Sequence, residues 1–117
     1  MTRVVALVDD LFFVSKMLET AKHVGVELKT AANAAALLDL MQQAPAPAMA
    51  VVDLNARQGG VAAVEQLRAA GHALPVVAFL SHVQTELAEQ ARAAGCTEVM
   101  PRSRFTQNLA EIFRSAL

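Results

Sequence analysis

Five short runs of apolar, β-branched residues alternate along this chain with segments whose apolar residues recur at helical spacing. The runs begin at residues 4, 26, 49, 75 and 97. Each is followed by a helical pattern, so the unit strand–helix occurs five times. Such alternation predicts an α/β fold in which a doubly wound, five-stranded parallel sheet carries helices on both faces. Ligands of these sheets bind beyond the carboxyl ends of the strands.

Small and polar residues predict where the helices begin and end. Gly25 and Gly95 follow helical segments, and Asn33 can cap the helix that runs to Met41. The last segment predicts a single amphipathic helix, because its apolar residues share one face: Phe105, Leu109, Ile112, Phe113 and Leu117.

Composition limits the classes of function that the chain can have. Its 117 residues, 55% of them apolar, suit one domain over residues 1–117. The single cysteine, Cys96, excludes an internal disulfide and favours a reducing cytoplasm. A net charge of −1 gives no general attraction to nucleic acid, and no apolar run has the length of a membrane span. We therefore expect partners to be proteins rather than nucleic acid or membrane.

Three carboxylates follow apolar runs that should be strands of the same sheet. Asp9 and Asp10 end the first run, and Asp53 lies near the end of the third. A single Asp often caps a helix or begins a loop, but three at one sheet edge would repel one another. Carboxylates that converge and stay ionised need a cation, and Mg²⁺ takes such oxygen ligands. The pattern therefore predicts a magnesium site.

The chain resembles a receiver domain of bacterial two-component response regulators. The matching segments are VDD at 8–10, VVDLN at 51–55, LPVVAFLS at 74–81 and AAGCTEV at 93–99, with the basic residue Arg102 after the fifth strand. The resemblance covers essentially the whole chain. It implies a flavodoxin-like fold with strand order 2-1-3-4-5.

The resemblance also implies a site and a role in signalling rather than in metabolic catalysis. Asp53 would accept a phosphoryl group from a histidine kinase, while Asp9, Asp10, Asp53 and the carbonyl of Asn55 would bind Mg²⁺. Arg102 would face the phosphate, although a solvated loop cation is an equal alternative. The strand and helix at the chain's end resemble the surface that receivers use for output or for homodimers.

Several residues depart from the receiver pattern at the parts that read out phosphorylation. Arg102 and Ser103 replace the usual Lys-Pro pair, and a planar guanidinium is no neutral substitute for an ammonium group. Leu80 falls where receivers have Thr or Ser, so the hydroxyl of Ser81 reaches the site only through a local shift. Val99 replaces the switch aromatic.

Two segments near the predicted crevice add to these departures. The loop NARQGG, residues 55–60, is one residue short of the receiver pattern, and its Arg57 could neutralise the acidic crevice. At least one of Leu11, Phe12 and Phe13 should lie at the crevice rim, either packed over that loop or serving as a docking spot. Two hypotheses follow: a phosphorylated receiver with an unusual switch, or a pseudo-receiver that acts through protein contacts alone.

Overall fold

The computed structural model describes residues 1–57, 59–81 and 84–117, and the described part forms the predicted parallel sheet. The strands lie in the order β2-β1-β3-β4-β5, and every neighbouring pair is parallel. This order confirms the prediction. The strands are β1 (Arg3–Leu7), β2 (Glu27–Ala31), β3 (Met49–Asp53), β4 (Val76–Leu80) and β5 (Glu98–Pro101). The helices are α1 (Leu11–Val24), α2 (Ala34–Gln42), α3 (Gly60–Ala69), α4 (Thr85–Ala94), α5 (Arg102–Gln107) and α6 (Leu109–Arg114).

Two hydrophobic clusters lie on opposite faces of the sheet, as a doubly wound fold requires. Alternate residues of β1 divide between them, since Val4 and Ala6 belong to one cluster and Val5 and Leu7 to the other. The first cluster includes buried residues of α1, α5 and α6, and the second includes those of α2, α3 and α4. Because β1, β3 and β4 are buried on both faces, they read as continuous apolar runs in the sequence.

The predicted helix boundaries are present at the residues that the sequence singled out. Gly25 and Gly95 follow α1 and α4 with φ of 93° and 117°, a left-handed conformation that glycine adopts without steric cost. Asn33 caps α2 by accepting a hydrogen bond from the Ala36 N–H at 2.8 Å. Local signals were therefore sufficient to place the ends of α1 and α4 and the start of α2.

The final helix was predicted as one element, and this prediction is wrong. Asn108, with φ of −109° and ψ of 14°, separates α5 from α6, and its side-chain amide donates to the Arg104 carbonyl at 2.9 Å. An Asn side chain that bonds to the backbone competes with regular helical geometry. Leu117, which the periodicity placed on the buried face, is 64% exposed.

The topology brings the predicted site to one edge of the sheet. Because β3 lies between β1 and β4, the loop after β1 and the last residue of β3 meet at the carboxyl ends of the strands. Asp9 and Asp10 lie in that loop, and Asp53 is the last residue of β3. Among the described residues, none of the helices is long and apolar enough to cross a lipid bilayer.

Candidate functional site

Asp53 is the most enclosed carboxylate of the candidate site. It is 7% exposed, and its Oδ1 accepts a hydrogen bond from the Asn55 N–H at 2.9 Å. Burial raises the pKa of Asp53 above its ordinary value, because desolvation disfavours the charged form. The Asn55 N–H and the charge of Arg102 oppose this shift, while the charges of Asp9 and Asp10 add to it. The predicted residues therefore act electrostatically on one carboxyl group.

Asp10 has two contacts that hold its carboxylate in place. Its Oδ1 accepts from the backbone N–H groups of Phe12 and Phe13 at 3.1 and 3.3 Å, which makes Asp10 the N-cap of α1. Its Oδ2 lies 3.3 Å from a terminal nitrogen of Arg102. Both contacts hold the side chain in one orientation, between the first turn of α1 and the guanidinium. Thus Asp10 caps a helix, as the simpler interpretation held, and also faces a cation.

Asp9 connects the loop after β1 to the loop after β3. Its Oδ2 accepts a hydrogen bond from the backbone N–H of Arg57 at 2.9 Å. Arg57 was expected to neutralise the crevice with its guanidinium. In the described part of the chain, however, its side chain is exposed and makes no salt bridge. The backbone of this loop, rather than the charge of Arg57, therefore contacts Asp9.

Arg102 lies at the acidic edge of the sheet and contacts Asp10 there. It is the first residue of α5, and its guanidinium carbon lies 4.4 Å from the centre of the Phe13 ring and 5.6 Å from that of Phe79. Its Nε is buried and has no hydrogen-bond partner among the described residues. The sequence offered a solvated cation as the alternative. The structure instead places Arg102 in an ion pair and a cation–π contact.

Asn55, Ser81 and Gln84 form a polar group at the mouth of the site. The amide oxygen of Asn55 accepts from the backbone N–H of Ser81 at 2.7 Å and from its hydroxyl at 3.2 Å. The amide nitrogen of Asn55 donates to Gln84 Oε1 at 3.0 Å. Ser81 therefore lies close to the predicted site, but its hydroxyl contacts Asn55 rather than the carboxylate of Asp53.

The residues at the predicted readout positions are apolar and packed. Leu80 is 4% exposed and belongs to the core cluster that α2, α3 and α4 cover. Val99 packs against the same cluster. Aliphatic side chains thus occupy the end of β4 and the middle of β5, as the sequence shows. Both side chains therefore serve packing, and the altered readout stays a prediction.

The three apolar residues after Asp10 divide into an exposed pair and a packed ring. Leu11 is 80% and Phe12 92% exposed, whereas Phe13 lies edge-on to Phe79 with ring centres 5.3 Å apart. Phe13 also contacts Phe105 at 5.9 Å, so its ring packs on these aromatics. Sequence reasoning missed the contact between Phe13 and Arg102. Nothing in the spacing of residues 13 and 102 indicates it, because only the tertiary fold brings the first residue of α5 beside the first turn of α1.

The oxygen donors of this edge suit Mg²⁺ chemically, but they do not form a ready metal cluster. Within residues 1–57, 59–81 and 84–117, no three His, Cys, Asp or Glu side chains are arranged to hold a metal ion. Asp10 is turned toward the α1 N-terminus and Arg102, while Asp9 contacts the backbone of Arg57. Oδ2 of Asp10 is therefore already beside a cation from the chain itself.

Solved structures provide the comparison with known proteins. No protein-family model matches the chain. No curated protein matches it either. A response regulator receiver domain from Clostridium thermocellum superposes with a TM-score of 0.84 at 14% identity, over 99% of this chain and 94% of that one. A CheY-like receiver domain from Methanospirillum hungatei JF-1 gives 0.80 at 14% identity, over 99% and 96%.

A third match is the phosphorylated cyanobacterial phytochrome response regulator RcpA. It superposes with a TM-score of 0.80 at 14% identity, over 97% of this chain and 89% of that chain. The TM-scores show that the fold is shared. At 14% identity the matches say nothing about the chemistry of this chain. High TM-scores and near-complete coverage of this chain are common to all three matches. The chain therefore has the fold of response regulator receiver domains.

Proposed function

We propose that this chain is a signalling receiver that accepts a phosphoryl group on Asp53 from a histidine kinase, in a reaction that depends on Mg²⁺. The observation that carries the proposal is the position of Asp53. It ends the central strand β3, almost fully buried, where the charges of Asp9, Asp10 and Arg102 all act on it. A structural core carboxylate would not need this acidic and cationic surrounding.

The chemistry is transfer of a phosphoryl group between two nucleophiles. The P–N bond of a phosphohistidine breaks, a P–O bond to a carboxylate oxygen of Asp53 forms, and the imidazole leaves with the bonding electron pair. Such transfer depends on positioning and on neutralisation of charge more than on covalent help from the protein. The hydrogen bond from the Asn55 N–H orients Oδ1 of Asp53. It thereby leaves Oδ2 as the attacking atom.

The remaining residues supply charge and orientation. Asp9, Asp10, Asp53 and the carbonyl of Asn55 are the oxygen donors that would hold Mg²⁺. Neutralisation of charge on the phosphoryl oxygens is the chemistry that the metal supplies when bound. Arg102 donates planar N–H groups that suit a phosphate, once it leaves Asp10. Leu80 has no hydroxyl that could bind the phosphoryl group. We assign that role to the hydroxyl of Ser81, the next residue along the chain.

The experiment is an NMR titration with Mg²⁺ and then with Mg²⁺ plus beryllofluoride, which mimics a phosphoryl group on a carboxylate. Wild type and Asp53→Asn are compared. We expect saturable shifts around residues 9, 10 and 53 with the metal, and wider shifts with beryllofluoride that Asp53→Asn abolishes. An identical beryllofluoride response in Asp53→Asn, or no response at millimolar Mg²⁺, would contradict the proposal.

A second candidate is a pseudo-receiver that binds a partner protein without phosphorylation. The ion pair between Arg102 and Asp10 favours it, because a cation from the chain already neutralises part of the acidic edge. The exposed side chains of Leu11 and Phe12 beside that edge would provide apolar contact area. A protein that ignores Mg²⁺ and beryllofluoride yet loses partner binding in Phe12→Ser would support this candidate.

A further inference from the structure

The contacts of Arg102 carry an inference about how metal binding is controlled. Arg102 is the one described residue that faces Asp10, Phe13 and Phe79 together. Its ion pair with Asp10 spans 92 positions in the sequence, and it joins α5 to the N-terminus of α1. A solvated arginine would have no reason to leave its Nε buried without an acceptor. The guanidinium is therefore held in this position by the ring and the carboxylate.

We infer that Arg102 is a resident cation of the acidic edge, seated on the Phe13 ring and paired with Asp10, and that Mg²⁺ has to displace it. Asp10, Phe13 and Arg102 together are called the guanidinium latch. This inference rests on the proposed function, because it assigns to Asp10 the metal-binding role proposed above. It adds that a cation from the chain already pairs with one of the acids, so that metal affinity depends on Arg102 and on Phe13.

The geometry explains why the two cations exclude each other. Oδ1 of Asp10 already accepts two backbone N–H groups, so Oδ2 is the atom left for a cation, and a terminal nitrogen of Arg102 lies 3.3 Å from it. A dication at the same oxygen would repel the guanidinium at short range, where solvent screens weakly. Displacement also costs the cation–π contact with Phe13. Phe13 is thus a positioning residue that acts through Arg102.

Displacement would have a consequence at the surface of α1. Phe13 follows Leu11 and Phe12, which are exposed at the first turn of that helix. When Arg102 leaves the ring, one face of Phe13 loses its cover, and the cap of α1 at Asp10 is drawn toward the metal. The guanidinium latch would therefore transmit metal binding to the surface of α1. This route needs neither a hydroxyl at position 80 nor an aromatic ring at position 99.

The first test measures Mg²⁺ affinity by calorimetry for wild type, Arg102→Met and Arg104→Met. The two variants lose the same charge from the same helix, but Arg104 is exposed and its side chain makes no described contact with the crevice. We expect Arg102→Met to bind Mg²⁺ about tenfold more tightly, which corresponds to ~1.4 kcal/mol. Arg104→Met should match wild type within a factor of about two, because distant surface charges are screened.

Ring variants separate the role of Phe13 from a general change in charge. Phe13→Leu keeps the charge of Arg102 and most of the apolar volume, so it should tighten Mg²⁺ binding by about threefold through loss of the cation–π contact alone. Phe12→Leu is the matched control, since Phe12 is 92% exposed and its contact with the latch is the backbone N–H bond to Asp10, which the substitution keeps. Equal affinities in Phe13→Leu and Phe12→Leu would remove Phe13 from the mechanism.

The side-chain NMR signal of Arg102 gives a readout that does not depend on affinity. Because its guanidinium carbon lies 4.4 Å from the Phe13 ring centre, the Nε–H proton should be shifted upfield by the ring current. Saturating Mg²⁺ should move this signal toward that of an exposed arginine such as Arg104. A signal that stays in place while Mg²⁺ saturates the protein would overturn the inference, as would an unchanged affinity in Arg102→Met.

The outcomes also separate this inference from the proposed function. Tighter Mg²⁺ binding in Arg102→Met together with no Asp53-dependent beryllofluoride response would support the latch and contradict phosphoryl acceptance. The reverse result, a normal beryllofluoride response with equal Mg²⁺ affinities in wild type and Arg102→Met, would contradict the latch alone. Failure of every variant to bind Mg²⁺ would overturn the latch.

Discussion

The contact between Phe13 and Arg102 leads to a quantitative prediction about stability. In a double-mutant cycle of Phe13→Leu and Arg102→Met, the two changes should be coupled, because each removes the same cation–π interaction. The guanidinium carbon lies 4.4 Å from the ring centre, and the Arg102 side chain is 37% exposed. At a partly exposed site such a contact contributes about 0.5–1 kcal/mol, so this is the coupling energy that we expect.

The single variants have larger effects than the coupling because each removes further contacts. Phe13→Leu also loses two aromatic neighbours, Phe79 at 5.3 Å and Phe105 at 5.9 Å. Its free energy of unfolding should fall by about 2 kcal/mol in total. Arg102→Met loses the ring contact and a partly exposed ion pair, so its free energy of unfolding should fall by about 1 kcal/mol.

Urea unfolding followed by circular dichroism measures these free energies. The chain has no Trp or Tyr, so intrinsic fluorescence from those residues is not an option. The transition midpoint and slope give the free energy of each of the four proteins. The matched cycle with Phe12→Leu should be additive. Additivity within ~0.3 kcal/mol in the Phe13 cycle would refute the reasoning, since it would show that the ring and the guanidinium do not interact.

Three further predictions concern the site loop, the buried acid and the exposed ring. Gly60→Ala should destabilise the fold by about 1–3 kcal/mol in urea, because overpacking is costly and a Cβ there would lie 2.8 Å from the Asp53 carbonyl oxygen. The pKa of Asp53 is raised in the folded state, so its contribution to stability is present at low pH and is lost as the pH rises through the folded pKa. Asp53→Asn should therefore raise the melting temperature by a few degrees at neutral pH, with a gain that shrinks on acidification. Phe12→Ser should change the free energy of unfolding by less than about 0.5 kcal/mol, because Phe12 is 92% exposed.

Each of these predictions has an outcome that would contradict it. An unchanged transition in Gly60→Ala would mean that the loop after Asp53 can move away from α3. A gain in Asp53→Asn that stays constant down to acidic pH would show that ionisation of Asp53 is not its cause. A large loss of stability in Phe12→Ser would mean that this ring packs against the protein, and the apolar pair would no longer be available to a partner.

The order of elements and the place of the site were determined by the sequence. Continuous apolar runs that alternate with helical patterns indicate a parallel sheet. Glycine at positive φ ends helices, and Asn at an N-cap begins them, through local physics. Asp9, Asp10 and Asp53 had to meet at one edge, because all strands of a parallel sheet end on the same side. Leu80 and Val99 stand at positions where the receiver resemblance implies a hydroxyl and an aromatic ring, and their role in readout stays a prediction.

Tertiary structure decided which groups touch inside that edge. The Asp10 side chain could cap a helix, bind a metal or pair with a cation, and the sequence contains no information that selects among them. The fold places Arg102, the first residue of α5, on the ring of Phe13 and beside Asp10. Likewise, periodicity gave one final helix, but the bond from Asn108 to the Arg104 carbonyl divides it. Contacts between residues far apart in the chain depend on packing geometry, which local propensity does not encode.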